Sequence, residues 1–574
     1  VQPIYNIAEI CAQKRVKHVV LCPGSRCAPL TLAFSRQGSF SIKVLSDERS
    51  AAFVALGMAQ QSKQTVVLIC TSGSALYNFA PAVAEAFFSG IPLLILSGDR
   101  PTEWIGQQDG QTIFQQDIFG KHVKRFIQLP QEYAHPDNIW TINRSVNEAL
   151  NLANNEQPGP VHINVPLREP LYPVNNQPVH FVKDVRIINN TPKEFLLSDE
   201  SKALLIKHWK QYNKVLIVAG QQPANRALTQ LLQFNIEKHN LPVLADIISN
   251  QHKLIQAIKH ADAFLGQAPD SLKESLHPEL LITFGAGIIA KQVKLFLRKH
   301  KAIVHWHIGT EEQQADTYQS LTHTASVSPE SFFNFLSTLD KKESFDKQKK
   351  ENYQQVWQLE EQKAQALISG FFPAEMLGEF EMVNEIIKQL PNDTNLHLAN
   401  SMSVRYANYV GLTEKHSSTE IFANRGTSGI DGCTSTVVGH CLANPEKLQV
   451  LITGDIAFFY DRNAFWHSYA LPNLRIVLLN NHGGVIFKLI DGPADLKEVD
   501  EYFVAKQKLS AKYLCAEYGI DHLVIDSRKK VNNQIKNFFE NDGTPKILEI
   551  ETDTNLNKTI FESFKKKLKE RYES

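Results

Sequence analysis

The chain of 574 residues predicts an α/β protein built from three doubly wound parallel sheets. Three observations carry that expectation. Short, mostly apolar runs with β-branched residues alternate with helix-like segments in three successive series. Each run stops at turn or polar residues, as buried strands do in a sheet covered on both faces. The length exceeds one core and suggests three or four units of ordinary domain size.

The first unit, residues 1–175, carries strand-like runs at 16–22, 41–46, 65–70, 92–97 and 160–165. Ligands in such sheets bind beyond the carboxyl ends of the strands, so the residues just after each run matter most. They are polar: Pro23-Gly24-Ser25-Arg26, Asp47-Glu48, Thr71-Ser72-Gly73 and Gly98-Asp99-Arg100. The second unit, 176–350, follows a linker-like stretch at 174–184 and has runs at 214–220, 241–246, 280–287 and 302–309. The glycines of FGAG and AGQQP would serve either as phosphate cradles or, more simply, as turns. Lys291 just beyond FGAG could reach a neighbouring cleft or sit solvated on its helix.

The charged stretch 339–367 reads as a solvated connecting helix to the third unit, 351–574. That unit has runs at 395–400, 419–424, 449–453, 474–479 and 546–551, and a lysine-rich tail expected to be a frayed amphipathic helix. The three series look like copies of one architecture, not short solenoid repeats.

Lys+Arg and Asp+Glu both number 60, so no global field draws nucleic acid or an anionic membrane, and neither is an expected partner. Seven cysteines, with no C-x-x-C and no His cluster at ligand spacing, suggest reduced, mostly buried thiols in a cytoplasmic protein. Nowhere do 18 apolar residues run together, so membrane insertion is not expected.

The chain is organised around 453–487. Asp455 follows one buried run, Asn481 follows the next, and Gly483 lies two residues on. A carboxylate, an amide oxygen and a free backbone carbonyl can thus converge at one sheet edge, three hard oxygens that suit Mg²⁺. Either half alone reads as an ordinary turn; the pair argues for a ligand. Arg26, Arg100, Arg405 and Arg425 fall in or just after strand-end loops, fixed charged forks suited to a substrate with several carboxylates.

The Asp-to-Asn-Asn spacing resembles the diphosphate anchor of the thiamine diphosphate (ThDP) enzyme superfamily, with Ile456 where a Gly is usual. Glu48, followed by A-x-G and accompanied by TSGSALYN (71–78), resembles the superfamily's pyrimidine-binding segment. The resemblance then narrows. CPGSRCAPL (22–30), SDERSAAFVALG (46–57), SGDRP (97–101), GPVHINVPLREPLY (159–172), NSMSVR (400–405), NRGTSGIDG (424–432) and NNHGGVIF (480–487) are similar to segments of the 2-succinyl-5-enolpyruvyl-6-hydroxy-3-cyclohexene-1-carboxylate synthase family of menaquinone biosynthesis.

The resemblance implies a homodimer or homotetramer with the active site at the subunit interface. It also implies decarboxylation of 2-oxoglutarate on ThDP, with Mg²⁺ or Mn²⁺, and conjugate addition of the succinyl-semialdehyde carbanion to isochorismate. Units 1–175, 176–350 and 351–574 become the pyrimidine-binding, central and diphosphate-binding domains. By the same resemblance Glu48 would share a proton with the aminopyrimidine ring, and Ile430 would support the bent coenzyme. Thr71, Ser72, Gly73, Ser428, Gly429, Gly454, Ile456, Gly484, Val485 and Ile486 would line the coenzyme, and Asp455, Asn481 and Gly483 would hold the metal. Asn400, Ser401, Arg405 and Arg425 would take 2-oxoglutarate. Ser25, Arg26, Arg100, Gln111 and Lys291 would take isochorismate, with Ile486 and Phe487 as an apolar wall. Gly110 and Gln292 stand where the family commonly has Asn and Arg. The rivals are an acetohydroxyacid synthase-like ThDP decarboxylase or carboligase, and a non-catalytic ThDP-fold sensor or scaffold.

Overall fold

The computed structural model describes residues 2–573 except 174–177, 192, 194, 311–313, 341–346, 373–376 and 491, and gives the backbone alone for 347–352. Part of the expected linker (174–177) and part of the connecting stretch (341–346) thus lie outside the described residues. Three parallel sheets form in chain order. The first holds β1 (His18–Leu21), β2 (Ser41–Val44), β3 (Val66–Cys70), β4 (Leu93–Asp99), β5 (Phe126–Gln128) and β6 (Val161–Pro166), ordered β2-β1-β3-β4-β6-β5. The second holds β7 (Val215–Ala219), β8 (Val243–Ala245), β9 (Leu280–Phe284), β10 (Val304–Ile308) and β11 (His323–Ala325), ordered β11-β10-β9-β7-β8. The third holds β12 (Thr394–Leu398), β13 (Glu420–Phe422), β14 (Leu448–Gly454), β15 (Leu474–Asn480), β16 (Asp521–Ile525) and β17 (Lys546–Glu551), ordered β13-β12-β14-β15-β17-β16.

The outer sheets share one strand order, so each has its switch point in the same place, between β1 and β3 and between β12 and β14. In open sheets of this kind ligands bind beyond the strand ends at that point. In the second sheet the corresponding point lies between β7 and β9.

Central strands such as β3, β4 and β15 are buried along their whole length, which is why they read as unbroken apolar runs. One hydrophobic core joins the outer units: Leu68 and Ile95 belong to the same cluster as Leu451 and Ile476. The join is the helix Glu48–Ser62 packed on the helix Cys433–Ala443, where small residues let the two backbones approach closely. A polar network crosses the same contact. Asn395 Nδ2 donates to Gln61 Oε1 at 2.7 Å, and the His440 ring lies between Gln60 and Gln61.

Two expectations need correction. The connecting helix Lys347–Phe371 is not merely solvated: it buries Tyr353, Trp357, Ala364, Ile368 and Phe371. The tail is not frayed but a helix, Thr554–Glu573, whose Ile560, Phe561, Phe564 and Leu568 dock on the third unit. Tyr572 Oη there donates to Glu360 Oε2 at 2.7 Å. All seven cysteines are free and buried. No described helix is long and apolar enough to cross a membrane.

Candidate functional site

At the third sheet's switch point β14 ends in Gly454 and Asp455 starts a short helix, Asp455–Tyr460, so the carboxylate stands just beyond the strand end. Asp455 is 2% exposed, accepts from Ile456 N at 2.8 Å on Oδ1, and accepts from Gln507 Nε2 at 2.7 Å on Oδ2. Burial raises its pKa, against the pull of those hydrogen bonds. From the next strand, Asn481 Nδ2 donates to Glu379 Oε1 at 2.6 Å. That bond turns the amide so that Oδ1 is buried with no partner. Burial pushes Glu379 up to about 8. Gly483 follows, and Gly484 N donates to Val504 O at 2.5 Å, which fixes the turn.

Beside this edge lies the 424–430 loop. Asn400, just past β12, donates through Nδ2 to Asn424 O at 2.7 Å and to Gly429 O at 2.6 Å, while its Oδ1 accepts from Arg425 Nη1 at 2.7 Å. Arg405 donates to the carbonyl of Ser401. Burial, then the neighbouring Arg405 charge, pulls Arg425 below its ordinary pKa. Burial also pulls Arg405 down, and partly desolvated guanidiniums favour an anionic partner. Ser428 and Ile430 are at least partly accessible on this loop.

At the first sheet's switch point the ends of β1, β3 and β4 converge. Arg26 Nη1 donates to Leu167 O at 2.9 Å, and Nη2 lies 3.6 Å from the Glu169 carboxylate. Arg100 pairs with Asp109 at 2.7 Å and donates to Gly110 O at 2.7 Å, which fixes the turn into Gln111. Gly73 lies against that turn, since an added Cβ would stand 3.1 Å from Gln111 O. Glu48 opens its helix behind the N-cap Asp47, whose side chain accepts from Ser50 N at 3.0 Å. Burial, then the nearby Glu48 carboxylate, pushes the Cys22 thiol up. Asp47 also accepts from Asn463 Nδ2 at 2.7 Å and Arg49 donates to Tyr460 O at 2.8 Å, so the flanks of Glu48 are fastened to the third unit.

Two family descriptions match this chain: "Thiamine pyrophosphate enzyme, N-terminal TPP binding domain" over residues 6–122 and "Middle domain of thiamine pyrophosphate" over 191–398. Among curated proteins, the 2-succinyl-5-enolpyruvyl-6-hydroxy-3-cyclohexene-1-carboxylate synthase of Cytophaga hutchinsonii is 44% identical over 572 residues, covering 100% of both chains. The proteins of the same name from Flavobacterium johnsoniae (37%, 98% of both chains) and Porphyromonas gingivalis (35%, 97% of this chain and 96% of that one) agree along the whole length. The chain belongs to this synthase family. It is a ThDP-dependent enzyme with the three-sheet fold of that superfamily.

Within a synthase of this family the oxygens of the third edge have a natural use. The Asp455 carboxylate, the bare Oδ1 of Asn481 and the Gly483 carbonyl, which accepts from Val485 N at 3.1 Å and so is not free, are all hard oxygens, and the two side chains are each steered by a second residue, Gln507 and Glu379. By the chemistry of these donors the residues present fit a divalent cation. Lys291 heads the helix Lys291–Lys299 and is exposed; Lys294, one turn further, is half-buried. Burial, then Arg425, lowers the Lys294 pKa, with Asp246 and Asp262 opposing. Sequence reasoning missed Lys294, Glu379 and Gln507. Each acts through burial or a contact of high sequence separation and carries no local motif. It also missed the network under the first edge, where Gln115 accepts from Gly73 N at 3.0 Å and donates to Asn164 Oδ1 at 2.7 Å.

Proposed function

We infer that the chain carries out the family's synthase reaction, decarboxylating 2-oxoglutarate and adding the resulting four-carbon unit to isochorismate on the route to menaquinone. The observation that carries this reading is the third-sheet edge, where Asn481 Oδ1 stays bare because Glu379 holds the amide's other end. ThDP, when bound, supplies the electron sink that a 2-oxoacid needs in order to lose carbon dioxide.

The chain's own residues would do the rest. Asp455, Asn481 and Gly483 hold Mg²⁺ or Mn²⁺, with Gly454, Ile456, Gly484, Val485 and Ile486 packed around the diphosphate. Glu48 holds a proton at N1′ of the aminopyrimidine, flanked by Thr71, Ser72 and Gly73, while Ser428, Gly429 and Ile430 support the other ring. Arg405 and Arg425, with Asn400 and Ser401, take the 2-oxoglutarate carboxylates. Ser25, Arg26, Arg100 and Gln111 take isochorismate, with Lys291 or Lys294 completing the charge and Phe487 closing the wall. Units 1–175, 176–350 and 351–574 act as pyrimidine, central and diphosphate domains. Glu48 of one protomer and Asp455 of the partner subunit grip one coenzyme in a cytoplasmic homodimer or homotetramer.

An ultraviolet assay following isochorismate, with and without 2-oxoglutarate, ThDP and Mg²⁺, tests this. Loss of isochorismate only when all are present is the expected result. Turnover of pyruvate alone would point instead to an acetohydroxyacid synthase-like activity.

A further inference from the structure

A loop that presents one cation and one apolar side chain to a reacting centre needs both of its edges fixed. Asn400 holds the carbonyl edge of the 424–430 loop. The amide edge is held from the first unit. Glu85, on the helix Ala80–Phe88, is 1% exposed. Its Oε1 accepts from Gly426 N at 2.8 Å and Ser89 Oγ at 2.7 Å. Its Oε2 accepts from Thr427 N at 2.7 Å and Thr427 Oγ1 at 2.8 Å. The loop lies directly on that helix, since a Cβ added at Gly426 would stand 2.7 Å from Ser89 Oγ and 2.8 Å from Glu85 O.

We propose that Glu85 is a positioning residue for the synthase reaction, clamping the amide edge of this loop so that Arg425 meets the 2-oxoglutarate carboxylate and Ile430 meets the coenzyme. The proposal rests on the roles given to Arg425 and Ile430 above. Both Glu85 oxygens act as acceptors, twice each. Glutamine would offer one acceptor oxygen and turn an NH₂ group toward the remaining donors, so its similar shape does not preserve the clamp. Among the described residues the side-chain bonds of Arg26 and Arg100 run to Leu167, Glu169, Asp109 and Gly110, outside this loop, so the effect should fall on one substrate.

The test uses the full-length enzyme loaded with ThDP and Mg²⁺. In Glu85→Gln, kcat/KM for 2-oxoglutarate is expected to fall roughly tenfold to a hundredfold, mostly through KM, with KM for isochorismate changing by less than about twofold. Hydrogen–deuterium exchange should quicken at 424–430 and stay unchanged in the first sheet. Glu85→Asp, which keeps two acceptor oxygens, should recover part of the loss. Thr427→Val removes one of the four donors and should show the same substrate bias at roughly threefold; it serves as the readout if Glu85→Gln does not fold. Unchanged 2-oxoglutarate kinetics and exchange, or equal losses for both substrates, would overturn the proposal. If Arg425→Ala leaves 2-oxoglutarate kinetics intact while Glu85→Gln still frees the loop, the role of Arg425 fails and the clamp stands.

Discussion

The third and second sheets have the same kind of edge and use it differently. Both present glycine-bearing turns at a switch point. In the second sheet those turns face each other: Gly220 N donates to Phe284 O at 2.8 Å, Ala286 N to Gln221 O at 2.9 Å, and Gln221 N to Gly287 O at 3.1 Å. A Cβ at Gly220 would collide with the Ala286 carbonyl oxygen. Three of the amides a phosphate cradle would offer, those of Gly220, Gln221 and Ala286, are thus occupied between the turns, which favours reading FGAG and AGQQP as packing elements. In the third sheet the Asp455 and Asn481 side chains at the strand ends are steered by Gln507 and Glu379, from elsewhere in the unit. A glycine after a strand therefore reports close backbone approach. The third edge differs in setting a carboxylate, Asp455, and an amide, Asn481, beside its glycines.

Substitutions at the third edge should break catalysis and those at the second should break only stability. The largest effect belongs to Asp455→Ala, which removes the charged member of the oxygen set; kcat should drop roughly a thousandfold or more, and Mg²⁺-dependent ThDP binding by calorimetry should vanish. Normal ThDP binding in that variant would make the two edges equivalent after all. Next comes Arg425→Ala. A carboxylate that loses its ionic partner should cost about a hundredfold in kcat/KM for 2-oxoglutarate, with ThDP affinity within about threefold. Equal loss of ThDP affinity would remove Arg425 from the substrate side.

How much of this was legible follows from the same physics. The central strands announce themselves because both faces are buried. Every strand absent from the sequence reading, β5, β11 and β16, lies at a sheet edge, where burial is partial and the apolar run breaks up. Asp455, Asn481 and Arg425 stand next to strands and carry recognisable spacing. Glu379 meets Asn481 across 102 positions and Glu85 meets Thr427 across 342, so no window of sequence contains either pair. The charged helices were misjudged for a related reason: Trp357 faces a core built by the second unit, and Phe564 faces a core of the third unit most of whose other members lie far away in sequence.

The second edge gives the smaller effects. Gly285 has φ of +75° and lies against Gly220 and Gln221, so Gly285→Ala meets both backbone strain and crowding. Chemical denaturation should show a loss of about 2 kcal/mol, while KM for ThDP stays within about twofold. A large kinetic defect at unchanged stability would give this turn a role in the site.

The smallest effect is a pH dependence beneath that edge. His305 Nε2 shares a hydrogen bond with Thr283 Oγ1 at 2.9 Å, and burial, followed by the neighbouring His307, pulls His305 down to about 4. A histidine depressed in the folded state binds its proton more readily when unfolded, so its contribution is fully present above pH of about 6.5 and is lost as pH falls toward 4. Between pH 7.5 and 5.5 the stability difference between the natural protein and His305→Gln should narrow by about 1 kcal/mol. Catalysis by the surviving folded enzyme should show no matching change between the two proteins, because His305 lies under the edge whose turns are closed on themselves. A narrowing in stability accompanied by an equal change in KM for 2-oxoglutarate would mean that the second sheet speaks to the third through the bond from Gln221 Nε2 to Ala423 O, at 2.9 Å and next to the loop that carries Arg425.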